Sequence, residues 1–409
     1  MNPGIWSRLG VMMFLQFALW GAWFVTMGTY LEKGLGFSGL QVGAAYSTMN
    51  WGAILAPIIA GAIADRFFQA QKVMGVLHLV GAGLLWWIST ITDPGTFFWA
   101  LLAYAICYMP TLGLANAISF RQMSDPGKQF GAVRAMGTLG WIVVNFVLGW
   151  VLLKILGHSI ESTNAPLQIG AAISVVLGVY AFTLPATPPP SAGTQPTISQ
   201  SLGLDTLAYM KDRSFAVFVI GSLLICIPLS FYYSFANLFL NESGMEAASA
   251  KQTLGQASEV LFLLLIPFFF RRLGVKKMLL IGMLAWTLRY VLFAYGNNGN
   301  LVSMLYAGII LHGICFDFFF VTGQIYVDNT VSKGQRAAAQ GFIHVVTYGV
   351  GQLIGSWAAG AVVERYTMAT DEGTRHTWTC IWLVPAVMAF VVMLLFAFFF
   401  REPARRPAQ

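Results

Sequence analysis

The chain reads as twelve long apolar runs separated by short polar breaks, near positions 9–30, 40–64, 73–92, 96–120, 130–153, 166–185, 214–240, 252–270, 278–295, 300–326, 337–363 and 377–400. A bilayer core is crossed by roughly 20 helical residues, and each run approaches or exceeds that length. Within the runs Leu, Phe, Ala and Gly follow one another without the period-two alternation of a half-buried strand. The pattern therefore predicts membrane helices, not an outer-membrane barrel. In lipid a helix satisfies its own backbone donors and acceptors, which is why such runs fold this way. The first run is too long for a signal-peptide core and has no small-residue cleavage site, so it is expected to remain as a span.

The longest internal polar stretch is ATPPPSAGTQPTISQSLGLDTLAYMKDR, from Ala186 to Arg213. It begins as a Pro/Gly/Ser/Thr linker and continues into a segment whose Leu202, Leu204, Leu207 and Met210 suit an interfacial helix. Six runs lie on each side. The expected organisation is a six-helix bundle over 1–185, a central linker over 186–213 and a second six-helix bundle over 214–409. A weak repeat agrees with duplication: AICYMPTLGLANAISF (Ala105–Phe120) aligns without gaps on GICFDFFFVTGQIYVD (Gly313–Asp328). In that alignment Met109 of the first half meets Asp317 of the second, so the acid departs from the repeat. Parallel repeats with substrate near the midplane are a common plan of secondary transporters.

Composition strengthens the membrane reading. The chain is 57% hydrophobic and 10% charged, with mean hydropathy +0.70, against about 25% charged for an average soluble domain. The net charge of +7 could suggest nucleic acid, but its distribution gives a simpler cause. With the N-terminus in the cytoplasm, alternating loops place sixteen Lys and Arg inside and five outside (Lys33, Lys154, Lys251, Arg365 and Arg375). That bias predicts both termini inside and needs no nucleic-acid partner. Cys107, Cys226, Cys315 and Cys380 fall in or beside apolar runs without a C-x-x-C pair, and the five histidines lack metal-ligand spacing. A disulfide framework, a metal site and a cofactor are not expected. No phosphate loop points to direct ATP drive, and no nucleophile–base pair points to an enzyme.

Four ionisable residues sit inside apolar runs: Arg134, Glu259, Arg289 and Asp317. A charge at such a position costs about 2.5–3.5 kcal/mol on insertion scales, so each needs a partner or a task. Two buried ion pairs that fix helix packing are one reading, and Arg289 fits the part of a structural charge partner. The others belong to polar clusters. Arg134, Thr138 and Trp141, at i, i+4 and i+7, share one helix face and offer a guanidinium, a hydroxyl and a broad ring to a polar planar ligand. Gln256 and Glu259, at i and i+3, could grip vicinal hydroxyls. Phe316 stands beside Asp317, with Gln324 two turns further along.

Several blocks also carry a resemblance. GAIADRFFQAQK (Gly61–Lys72) resembles the loop between spans two and three of the major facilitator superfamily in its G-x-x-x-D-R form. FLQFALWGAW, YMPTLGLANAISF, VRAMGTLGW, QASEVLFLLLIPFF, AWTLRYVLFAYG and FDFFFVTG together resemble the bacterial nucleoside permeases, the nucleoside:proton symporters of that superfamily. The resemblance spans nearly the entire chain and implies the major facilitator fold. It also implies substrate-recognition or proton-coupling roles for Arg134, Thr138, Trp141, Gln256, Glu259, Phe316 and Asp317. Trp141 stands where the family pattern has phenylalanine. In span seven, PLSFYYSFANLF places Ser230 and Tyr233 where two amides are expected, with Asn237 one turn further to substitute in part.

The implied activity is proton-coupled nucleoside uptake across the cytoplasmic (inner) membrane by alternating access. A carboxylate in a poorly hydrated cavity favours its neutral form, so it can take a proton outside and release it inside. Asp317 is the first choice for that role and Glu259 the second. Another hydroxylated solute, such as a sugar or a modified nucleoside, is the alternative cargo, and a non-transporting membrane sensor is the alternative class. The expected partners are nucleoside, protons and lipid, with the chain acting as a monomer.

Overall fold

The structure is a computed structural model that describes residues 2–63, 68–188, 199, 202–370 and 373–402. Part of the G-x-x-x-D-R motif (64–67) and part of the linker (189–198, 200–201) lie outside the described residues. The spans are α1 (Pro3–Gly34), α2 (Gly39–Ile63), α3 (Ala70–Ile88), α4 (Pro94–Arg121), α5 (Lys128–Leu156) and α6 (Ala165–Ala181) in the first half. The second half holds α7 (Arg213–Glu242), then Ala248–Tyr295, α10 (Val302–Thr330), α11 (Lys333–Arg365) and α12 (Trp378–Phe399). Ala248–Tyr295 is helical throughout except at Gly274, whose φ of 71° breaks it into α8 (248–273) and α9 (275–295). The twelve expected spans are therefore present, each near its predicted place.

Local sequence explains where helices begin. Asn2, Asp93 and Asp125 each precede Pro-Gly, and each side chain accepts a hydrogen bond from the first turn: Gly4 N at 2.8 Å, Thr96 N at 2.7 Å and Lys128 N at 3.3 Å. Proline supplies a helical φ without a donor to satisfy, and the capping oxygen satisfies one that is otherwise orphaned. Hydrogen bonds from Thr96 hold the Asp93 carboxyl below its usual range. The break at Gly274 is also capped. Val275 N donates to Glu402 Oε1 at 2.9 Å, and Lys276 Nζ donates to the carbonyls of Ala397 and Phe400 at the end of α12. The basic stretch RRLGVKK thus joins α9 to α12 instead of forming an open loop.

Contacts divide the chain into two units: 1–201 with 233–253, and 202–232 with 254–409. The last third of α7 and the first turns of α8 thus belong with the first six helices. In this first unit, Gly140 packs on the backbone of Phe14, and a Cβ there would overlap the Phe14 carbonyl oxygen. The glycines of VRAMGTLGW are what let α5 lie directly on α1. Beneath them is a core of Leu9, Met12, Met13, Met74, Ile118 and Leu177. In the second unit, Ile266, Met278 and Phe318 form a core with Phe262 and Phe269 packed on it. Leu264, Phe398 and other large apolar side chains remain exposed on the helices, as lipid contact requires.

Two features go beyond the sequence-based expectation. A short antiparallel hairpin, β1 (Thr367–Thr370) and β2 (Gly373–His376), lies between α11 and α12. Among the described residues, four spans also contain a π-helical turn, at Tyr30–Gly34, Val147–Val151, Asp317–Val321 and Val345–Gly351. Such turns insert one residue and redirect the side chains that follow, and they are frequent at functional sites. The C-terminal part of the linker forms a 3-10 helix, Leu204–Lys211, tethered where Tyr209 Oη donates to Gln335 Oε1 and accepts from Ser332 N at 3.1 Å.

Candidate functional site

The first unit presents an aromatic wall with one cation. Arg134 on α5 lies over the Phe17 ring, its guanidinium carbon 4.1 Å from the centroid. Trp141 is half-buried and meets Trp20 edge-on at 5.7 Å and Phe24 at 6.3 Å. Phe24 in turn meets Tyr46 at 5.2 Å and Tyr233 at 6.1 Å. The Tyr46 hydroxyl, donating to Phe24 O at 2.8 Å and accepting from Gly28 N at 3.0 Å, fixes this corner. Thr138 is half-buried, one turn from Arg134 on the same helix. Arg134, Thr138, Trp141 and Tyr233 therefore share one unit, which brings together a guanidinium, a hydroxyl and aromatic rings.

Sequence reasoning missed a buried polar network in this unit. Glu161, from the loop between α5 and α6, is 1% exposed. Its carboxylate accepts from Asn237 Nδ2 at 3.0 Å, Asn241 Nδ2 at 2.8 Å and Ser249 N at 3.0 Å. Asn237 also donates to Gln252 Oε1 at 3.0 Å and accepts from Thr29. The amide expected to help at span seven is thus occupied by Glu161, Gln252 and Thr29. Glu161 lies in a polar loop, so nothing in the apolar pattern marks it.

The second unit holds the carboxylates. Gln256 and Glu259 are half-buried on one face of α8. The helices α8 and α10 approach closely because Gly313 packs on the backbone of Ser258, with Gly313 N donating to Ser258 Oγ at 3.0 Å. Asp317, 1% exposed, opens the π-helical turn of α10. Its Oδ2 is buried without a hydrogen-bond partner. Phe316 is half-buried beside it, and Gln324 lines a small cavity with Gln340, His344 and Tyr348.

Ser230 has a different setting. It is 2% exposed, and its hydroxyl lies 3.2 Å from Cys226 O and 3.1 Å from Gln352 O. The group joins α7 to α11. Arg289 is 0% exposed and forms no direct ion pair with a carboxylate among the described residues. Instead its Nη1 lies 3.1 Å from His312 Nδ1, and its guanidinium carbon sits 3.3 Å from the centre of the Tyr232 ring. His312 Nε2 faces Glu259 Oε2 at 3.7 Å. This histidine was not singled out from sequence. Its signal was present, since it is a lone imidazole in an apolar run, five residues before Asp317.

A family model described as nucleoside H+ symporter matches residues 4–405 of the chain. The chain belongs to the nucleoside H+ symporter family. Its relatives include the putative nucleoside transporter YegT of Escherichia coli (strain K12), 43% identical over 401 residues that cover 97% of this chain and 94% of the relative. The xanthosine permease of the same strain is 34% identical over 409 residues, covering 96% and 95%. The crystal structure of the nucleoside transporter NupG superposes with a TM-score of 0.87 at 34% identity, covering 98% of this chain and 100% of that one. At 13% identity, a bacterial homolog of the lysosomal transporter Spinster still reaches 0.72, a likeness of fold alone. This symporter is a multi-pass membrane transporter of the major facilitator type and not an enzyme.

Proposed function

We propose that this nucleoside H+ symporter couples uptake to proton entry through Asp317. The observation that carries the reading is a fully buried carboxyl oxygen with no hydrogen-bond partner. An ionised group in that setting is expensive, so the carboxyl is best accommodated with a proton and pays a cost whenever it releases one. Coupling follows when substrate and proton together favour the conformational change more than either alone. With one proton per nucleoside, each pH unit across the membrane supplies about 1.4 kcal/mol, or about tenfold accumulation.

Each unit carries groups suited to a nucleoside. Trp141 and Tyr233 give stacking faces for a base, and Arg134 and Thr138 give donors for its polar edge. Gln256 and Glu259 suit the ribose hydroxyls, and Phe316 adds an apolar surface. Ser230 contributes through helix packing. The sixteen-to-five charge bias supports an inner-membrane topology with both termini in the cytoplasm, and the chain works as a monomer without nucleic acid.

The test is Asp317→Asn in proteoliposomes. The neutral isostere keeps shape but cannot exchange a proton in the working range. Gradient-driven accumulation should be lost, while nucleoside exchange at equal pH on both sides persists. Full accumulation by the variant would remove Asp317 as the coupling group. The same defect confined to Glu259→Gln would move that role to α8.

A further inference from the structure

One buried acid has no part in recognition or proton coupling as proposed above. Glu161, in the loop between α5 and α6, is 1% exposed, and among the described residues no Lys or Arg stands within ion-pair distance of it. An anion leaves water at tolerable cost only where donors replace its hydration. Three do so here. Ser249 N donates to one carboxylate oxygen, and Asn237 and Asn241 Nδ2 donate to the other.

The Ser249 donor explains why an acid stands at this position. Ser249 lies in the first turn of α8, where backbone N–H groups lack partners within the helix and the helix dipole favours negative charge. The residue before the helix, Ala247, has no side-chain oxygen to cap it, and its φ of 54° is one that residues other than glycine rarely adopt. Glu161 therefore caps α8 from a loop 88 positions earlier in the chain. Its two amide donors come from α7, and Asn237 Oδ1 in turn accepts from Thr29 of α1. One carboxylate thus gathers α7, α8 and, through Asn237, α1.

The surfaces that meet there are built to part. Gly28 of α1 lies against the Ser234 carbonyl of α7, and Gly149 of α5 against Ser249 and Ala250 of α8. Lys33 of α1 pairs with Glu242 of α7 beside them. Water can take over the hydrogen bonds of such a seam when it opens, so the net loss per bond is small. All of these residues belong to the first unit, whereas α7 and α8 continue into the second. With the termini in the cytoplasm, as proposed above, the α5–α6 loop and the α7–α8 turn lie at the outer face.

We propose that Glu161 is the latch that closes the outer side of the transporter, by capping α8 and holding α7 until the outer ends of both helices are released together. It is a positioning residue that acts through Asn237, Asn241 and the start of α8. The inference rests on the transport and topology readings and is independent of which acid carries the proton.

The test is thiol accessibility in right-side-out vesicles, without substrate or proton gradient. Ser234→Cys is the probe, because Ser234 is 3% exposed and lies one turn inward of Asn237 on α7. The chain with Ser234 intact gives the background from its own four cysteines. An impermeant maleimide should react slowly with the probe while the latch is intact. Glu161→Gln keeps the acceptor for Ser249 N but sets an amide donor against the two asparagines. Asn241→Asp sets a second carboxylate against the first. Either change should favour the open state and raise the rate at least about fivefold. In the double variant the new amide can donate to the new carboxylate, and the rate should return to within about twofold of the latched chain.

Ser174→Cys, at a position 0% exposed on α6 where the hydroxyl donates to His78 O, controls for general loosening and should stay slow in every background. Unchanged probe rates in both single variants would overturn the latch, as would failure of the double variant to recover. An equal rise at Ser174→Cys would overturn it too, and leave Glu161 as a support of the fold. Acceleration confined to inside-out vesicles would overturn its placement at the outer face. Failure of the Asp317 reading has a separate signature, namely full gradient-driven accumulation by Asp317→Asn.

Discussion

Asp317 and Glu259 are the same chemistry in similar helices, and their neighbours set them apart. Glu259 is partly open, with a side chain 23% exposed and the His312 ring beside it; Asp317 is sealed, with a bare oxygen. The same reasoning ranks the binding residues. Arg134→Ala should weaken nucleoside binding by about 1.5–3 kcal/mol, the scale for a hydrogen bond to a charged group, and Gln256→Ala by about 0.5–1.5 kcal/mol. Ser230→Ala should leave Kd within about twofold and instead lower stability by about 1 kcal/mol, because its hydroxyl bonds backbone carbonyls inside the bundle. Isothermal titration and thermal unfolding of the three purified variants separate these effects. Wild-type affinity in folded Arg134→Ala and Gln256→Ala would place the recognition site elsewhere. Residue type and spacing were enough to nominate Arg134, Trp141 and Glu259. They could not reveal that the Ser230 hydroxyl meets Gln352 O or that His312 stands between Arg289 and Glu259, because both facts depend on which helix lies opposite.

At the scale of elements, helix positions followed from apolar run length, whereas the Asn/Asp-Pro-Gly caps at Asn2, Asp93 and Asp125 emerged with the structure. The π-helical turns did not, since an inserted residue leaves the hydrophobic pattern of a fully apolar run unchanged. The turn at Asp317 matters most, because it sets the direction of every side chain from Phe318 onward. Close helix contacts give a direct test. Gly140→Ala should force α5 away from the Phe14 carbonyl, costing about 1–3 kcal/mol by overpacking and weakening binding through displaced Arg134 and Trp141. Gly131→Ala, on the same helix with open space around its Cα, should be tolerated. Melting curves of the two variants decide the matter; equal stability would mean that α1 and α5 are not packed through Gly140.

For the whole molecule, topology is the property most directly tied to charge. Cysteines placed at Ser191 and Ala408 should be shielded from an impermeant thiol reagent in intact cells, and one at Asn298 should be labelled. Labelling at Ser191 from outside would invert the orientation inferred from the Lys/Arg bias. The division into units follows a different logic. The apolar pattern places its midpoint in the linker, whereas residues 233–253 pack with the first six helices. Glu161 accounts for much of that, since its carboxylate draws Asn237, Asn241 and Ser249 to a loop far away in sequence.

The sequence by itself determined the class, the twelve spans and the family, because each depends on local properties: length of apolar run, loop charge and ordered blocks of residues. It also determined that a few interior charges must have partners or tasks, since lipid makes idle ones costly. Only the tertiary structure decided which partners those were. Arg289 meets a histidine and not an acid, Asn237 meets Glu161 and not open space, and Asp317 meets nothing at Oδ2. These pairings arise where separate helices cross. Crossing positions are set by glycine contacts and one-residue π-helical insertions, to which hydrophobic periodicity is blind.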